Sequence, residues 1–140
     1  MQVVKDFTFD AAHRLVRGYQ GKCSHLHGHT YKVAVTVAGP VLDHHCMLVD
    51  FDFIKASMKS WVDLQLDHAT LVSDEDTELL SWLRQHDQKY YPVSGNPTAE
   101  KLAHMLHSVF TKVLPRETDL HIASVQVWET PTSSAVYCGE

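Results

Sequence analysis

The sequence predicts an α+β fold, from two observations. Three stretches alternate apolar and polar residues with a period of two, and three others repeat apolar residues at helical spacing. The strands and helices do not follow one another as βαβ units, which disfavours a parallel sheet. Alternation starts at residues 3–15, where Val3, Phe7, Phe9, Ala11 and Leu15 share one side, and predicts a half-buried strand. The two glycines of RGYQGK (17–22) mark a turn. Alternation resumes with Tyr31, Val33, Val35 and Val37 on one face and Lys32 and Thr36 on the other. AGP (38–40) ends that strand, CMLVDF (46–51) reads as a short third one, and the first half is expected to be an antiparallel meander.

In the following stretch, DFDFIKASMKSWVDLQL, Phe51, Ile54, Met58, Trp61 and Val62 repeat at helical spacing, and Asp50 or Asp52 stands where an N-cap is needed. Residues 74–86 place acidic residues ahead of Leu79, Leu80, Trp82 and Leu83, predicting a short helix. YYPVSGNP (90–97) reads as loop. The clearest helix is 97–114, whose stripe is Leu102, Leu106, Val109, Phe110 and Val113, with Pro115 just past its end. HIASVQVWET (121–130) alternates again, and SAVYCGE (134–140) adds a short tail strand. Neither repeats nor linkers interrupt the chain, so residues 1–140 are expected to form one domain.

Composition excludes several classes of function. A net charge of −5 with no basic run gives nucleic-acid binding no electrostatic support. No apolar run approaches a membrane span, and MQVVKDFTFD lacks the apolar core of a secretory signal. Three cysteines without framework spacing suit reduced thiols. A cytoplasmic protein is expected.

Eleven of the 140 residues are His, and three of them fall in CSHLHGH (23–29). His27 and His29 are two apart, so on a strand both point to the face that carries Val33 and Val35. His13 lies on the Phe7, Phe9 and Ala11 face of the preceding strand. Pairing of the two strands about residue 20 puts His13 opposite His27, with Cβ atoms about 5 Å apart. Three imidazoles then converge at one end of a sheet face, as a catalytic zinc site with an open position requires; the alternative is that alternating His occupy a strand end and hydrogen-bond locally. Cys23 stands either as a fourth ligand or as a nearby reactive thiol, and Gly28 removes bulk between the two ligands.

Two further groups carry weaker signals. Asp67 beside His68 suggests a carboxylate that fixes an imidazole tautomer, although adjacent Asp-His pairs are common at helix ends. Glu129 is in phase with Val125 and Val127, so it points where apolar neighbours point. It either reaches water or a cation, or accepts two adjacent N–H groups of a ligand.

Six segments in order, FTFDAAHRL, CSHLHGHTYKV, MLVDFDFIK, LDHATL, NPTAEKLA and VWETPTSSAVYCGE, resemble the 6-pyruvoyltetrahydropterin synthase family. Its bacterial branch includes 6-carboxytetrahydropterin synthases of the queuosine pathway. The resemblance implies the tunnelling fold: a four-stranded antiparallel sheet with two main helices on one face, assembled into a trimer or hexamer with sites at subunit interfaces. The helical segment near 74–86 is extra to that pattern. The family's zinc ligands match His13, His27 and His29, its catalytic thiol matches Cys23, and its Asp-His partners match Asp67 and His68. Its pterin-anchoring carboxylate matches Glu129, and Thr98 and Glu100 match a segment that lines the pterin pocket from a neighbouring subunit. The implied substrate is 7,8-dihydroneopterin triphosphate and the implied cofactor is zinc. The implied outcome is carbon–carbon cleavage to 6-carboxytetrahydropterin. The alternatives are triphosphate elimination to the pyruvoyl product and a non-catalytic zinc- or pterin-binding paralogue.

Overall fold

Apolar alternation builds the two long strands that organise the molecule. In the computed structural model, which describes residues 1–139, β1 is Gln2–His13 and β2 is His27–Ala38. They pair antiparallel, and Phe7, Phe9 and Ala11 face the same way as Tyr31, Val33, Val35 and Val37, all buried. β3 (Ala69–Ser73) runs parallel to β1, and β4 (Tyr90–Val93) runs parallel to β3. On the other side β5 (His121–Thr130) pairs antiparallel with β2, and β6 (Ser133–Tyr137) with β5. The sheet has six strands in the order β4-β3-β1-β2-β5-β6.

Asp50 caps α1 (Phe51–Ile54), accepting from the Asp52 N–H at 2.8 Å. The helix runs through a wide π turn at Lys55–Lys59 into α2 (Ser60–Gln65). Ile54, Met58, Val62 and Leu66 are fully buried at constant steps of four. In a pure α-helix each such step drifts by about 40°; the extra residue in the π turn takes up the drift and keeps all four on the sheet. α4 (Ala99–Val113), capped by Thr98, buries Leu102, Ala103, Leu106 and Phe110 against the same face. α3 (Thr77–Gln85) packs elsewhere, closing a smaller cluster of Val72, Leu79, Leu80 and Leu83.

The α+β class stands, but the sheet has six strands instead of four and is not wholly antiparallel. β3–α3–β4 is the βαβ unit that the sequence hides. β3 is buried on both faces, Leu71 in the main core and Val72 in the second cluster, so no alternation marks it. β4 holds Pro92, which the sheet tolerates because β4 is an edge strand. The strand expected at 46–51 does not form. There the Asp43 carboxylate accepts from the N–H groups of His45 and Met47, at 2.9 and 2.9 Å, and folds the chain into a turn in which Cys46 has φ 63°. The tail strand ends at Tyr137, and Glu140 lies outside the described residues. Among the described residues no helix is long and apolar enough to cross a membrane.

A bidentate ion pair ties α3 to the end of β1. Arg14 Nε and Nη2 each donate to Asp76 at 2.7 Å, and Asp76 also caps α3 through Leu79 N–H. These hydrogen bonds hold the buried Asp76 carboxyl below the usual carboxylate range. A carboxyl depressed in the folded state adds stability above its unfolded value of about 3.9, and loses that contribution as pH falls through the lower folded value. Asp76→Asn is therefore expected to lower the unfolding free energy at neutral pH by about 1–3 kcal/mol. The gap to wild type should close in acid, which urea titrations at neutral pH and at about pH 3 will measure.

Candidate metal centre and active site

The last rung of the β1–β2 ladder sets His13 opposite His27, with His29 two residues further along on the same face. The ring centroids of His13 and His27 are 4.7 Å apart, those of His27 and His29 4.7 Å, and those of His13 and His29 5.1 Å. One nitrogen from each ring lies within 4.8 Å of the other two, so the three form a group that can hold a metal ion.

Their tautomers follow from backbone carbonyls, which can only accept. His13 Nδ1 lies 2.7 Å from Pro97 O, and His27 Nδ1 lies 2.6 Å from His25 O, so both Nδ1 atoms carry protons. In the neutral rings both Nε2 atoms then present lone pairs, and these face each other at 3.1 Å. His29 Nε2 is buried with no hydrogen-bond partner among the described residues. Burial holds the His13 and His29 rings below the ordinary imidazole pKa, which favours the lone-pair form. Lone pairs aimed at one another with no donor between them fit a cation. A tetrahedral ion with bonds near 2.05 Å needs its nitrogens about 3.3 Å apart.

Glu129 reaches this cluster from β5, with Oε1 3.6 Å from His29 Nε2. That is too long for a hydrogen bond, so the carboxylate keeps its acceptor capacity. Beside it opens a groove lined by Thr8, Thr30, Lys32, Trp128 and Pro131. Cys23 is a half-buried free thiol on a short turn, Lys22–Ser24, in the loop between β1 and β2, and it is not one of the clustered metal-binding residues.

Asp67 and His68 pair as their adjacency suggested: Nδ1 donates to Asp67 Oδ2 at 2.8 Å. The Asp10 N–H donates to Asp67 Oδ1 at 2.9 Å, and this bond, with help from His68, lowers the Asp67 pKa. His68 is exposed with φ 59°, and it borders a cleft formed by Asp10, Thr30, Thr70 and Lys89, residues that alternate with the core face, and His29 lines the same cleft. Thr98 and Glu100 line a third cleft with Arg17, Asn96, Lys101 and His104. Within one chain the fold thus assembles His13, His27, His29 and Glu129, while Asp67–His68 and Thr98–Glu100 are not members of that cluster.

Three partners escaped the sequence reading. Tyr31 is fully buried with its hydroxyl 3.2 Å from His13 Nδ1, and burial pushes its pKa up. Pro97 contributes only a carbonyl, and His25 orients His27 through its carbonyl alone. Backbone acceptors leave no mark in a side-chain pattern. Tyr31 was legible only as a core position.

The chain belongs to the 6-pyruvoyl tetrahydropterin synthase family, whose model matches residues 2–140. It is 38% identical over 125 residues to the 6-carboxy-5,6,7,8-tetrahydropterin synthase of Rickettsia bellii, covering 88% of this chain and 89% of that protein. The enzyme of the same name from Haemophilus influenzae is 33% identical over 142 residues, covering 97% of each. The structure of Caenorhabditis elegans 6-pyruvoyl tetrahydropterin synthase superposes with a TM-score of 0.75 at 25% identity, covering 100% of this chain and 96% of that one.

A metal ion at about 100 times its Kd should stabilise the protein by about 2.7 kcal/mol. Thermal unfolding with and without added zinc is expected to show this shift in wild type and to lose it in His29→Ala.

Proposed function

We propose that the 140 residues act as one unit, a zinc-dependent 6-carboxy-5,6,7,8-tetrahydropterin synthase, converting 7,8-dihydroneopterin triphosphate to 6-carboxytetrahydropterin, acetaldehyde and triphosphate. The observation that carries this reading is the cluster of three imidazoles, two of them oriented by backbone carbonyls, with the Glu129 carboxylate beside it. The choice of branch rests on relatives named for that reaction at 33–38% identity.

On this reading His13, His27 and His29 hold the metal, which when bound supplies Lewis-acid polarisation of the substrate's side-chain hydroxyls. Glu129 accepts the two adjacent N–H donors of the aminopyrimidinone edge and so fixes the ring relative to the imidazoles. Cys23, near the cation, acts as general base at the side-chain carbon. Asp67 holds His68 in the Nδ1–H tautomer, leaving Nε2 to exchange a proton with substrate. His68 stands outside the cluster, and on this reading the Cys23 and His68 that serve one substrate come from neighbouring copies. A trimer or hexamer, with Thr98 and Glu100 completing the pterin pocket across the interface, meets that need. The setting is soluble and cytoplasmic.

Incubating metal-replete protein with 7,8-dihydroneopterin triphosphate and weighing all products tests the proposal. Acetaldehyde with a 6-carboxypterin supports it, a pyruvoyl product moves the chain to the other branch, and no turnover leaves a binding protein. Cys23→Ala is expected to keep zinc and to lose about 10²–10⁴ in rate, whereas His27→Ala loses both metal and activity. Metal analysis beside the assay separates the two; loss of metal from Cys23→Ala would make the thiol a ligand.

A further inference from the structure

We infer that Asn96 is a positioning residue for the Cys23 thiol, an inference that rests on the proposed role of Cys23 as base. The loop between β1 and β2 covers residues 14–26 and is tied internally by Leu15 N–H donating to Cys23 O at 2.8 Å. Ser24 N–H to Gly21 O at 3.0 Å and His25 N–H to Lys22 O at 3.1 Å close the turn on which the thiol stands. These bonds fix the shape of the loop but not its place on the protein.

Asn96 supplies the place. Its Oδ1 accepts from Val16 N–H at 2.8 Å, and its Nδ2 donates to Val16 O at 3.1 Å. The side-chain amide thus copies one rung of a β-ladder across 80 residues of sequence. Among the described residues these two bonds are what ties the loop's backbone between residues 14 and 24 to the rest of the chain. Val16 is next to Leu15, whose N–H holds the Cys23 carbonyl, so the link from Asn96 to the thiol is three residues long. Two side-chain pairs also reach this loop: Arg14–Asp76 anchors its first residue, and Arg17–Glu75 is exposed, where such pairs hold little.

Asn fits the position for a stated reason. The rung needs a donor and an acceptor side by side at the reach of one methylene: Asp lacks the donor and Ala lacks both. Pro97 follows and restricts Asn96 to extended backbone. The Pro97 carbonyl holds His13 Nδ1, so one short segment sets both the metal ligand and the thiol-bearing loop.

The test compares zinc-loaded wild type with Asn96→Ala, Asn96→Asp and Leu83→Ala, the last destabilising the small α3 cluster that carries the Arg14 and Arg17 partners while removing neither Asn96–Val16 bond. For Asn96→Ala, kcat on 7,8-dihydroneopterin triphosphate is expected to fall about 10²-fold, with KM within about threefold and zinc content unchanged. Alkylation of Cys23 by iodoacetamide, followed by peptide mass, should rise about tenfold as the loop opens. Asn96→Asp, keeping the acceptor alone, should fall between, and Leu83→Ala should lower the melting temperature with wild-type kcat and alkylation. Wild-type kcat and alkylation in Asn96→Ala would overturn the inference. So would zinc loss, which would route the effect through His13, or a kcat loss matched by Leu83→Ala at equal loss of melting temperature. Absence of turnover in wild type would instead sink the proposed function, and the alkylation comparison would still decide Asn96.

Discussion

The antiparallel pairing of β1 with β2 runs from Gln2 opposite Ala38 to His13 opposite His27, and the three-imidazole cluster hangs from its last rung. A slip of one residue would turn every β2 side chain over, sending His27 and His29 to the opposite sheet face. Register is therefore a chemical constraint as well as a structural one. It is enforced along the core, by Tyr31, Val33, Val35 and Val37 meeting Phe7 and Phe9. Exposing each such side chain costs about 2 kcal/mol, so a slipped pairing that turns out the four of β2 loses an amount comparable with a domain's whole stability. The Phe9–Tyr31 stack, with centroids 5.0 Å apart, pins the rung nearest the site.

The same β1 end serves both faces of the sheet. Inward it presents His13; on its backbone, the Asp10 N–H donates to Asp67 and the Asp10 carbonyl accepts from His68 N–H at 2.7 Å. Lys89 completes that anchorage, donating to Asp63 O at 3.2 Å and Asp67 O at 2.6 Å across the C-terminus of α2. His68 can occupy left-handed backbone because these bonds fix the residues around it. The β3–α3–β4 excursion thus braces the site from outside: Lys89 holds the Asp67–His68 turn, Asp76 holds Arg14, and the segment after β4 delivers Asn96 and Pro97.

How much of this was legible depended on which face each element shows to water. β1, β2 and β5 have one core face and one open face, so alternation announced them, and strand parity with pairing centred on residue 20 set His13 against His27. β3 defeats the same logic because Leu71 and Val72 are both buried, and β4 because Pro92 reads as loop. Met47, Leu48 and Val49 read as strand, yet the Asp43 turn before them and the Asp50 cap after them leave no room for one. At the site, the imidazoles, the thiol and the carboxylates were visible in the sequence, whereas Tyr31 was legible only as a core position. Pro97 and His25, acting through carbonyls, were not visible, nor was Asn96, whose partner is a backbone peptide.

Electrostatics give the site its bias. Desolvation biases His13 and His29 toward the neutral form, and Glu129 lies 3.6 Å from His29, too far to spend its carboxylate on a hydrogen bond there. Protonating the imidazoles would bring positive charges together in a largely buried space, and leaving them neutral orphans His29 Nε2, a cost of about 1–3 kcal/mol for such a buried atom. Neither protonation state satisfies the cluster by itself. A divalent cation does, accepting all three lone pairs at once and leaving the carboxylate free for a ligand's donors. The fold therefore spends stability on a polar cluster that its own residues cannot satisfy, and that is the arrangement expected where binding a metal, not packing, selected the residues.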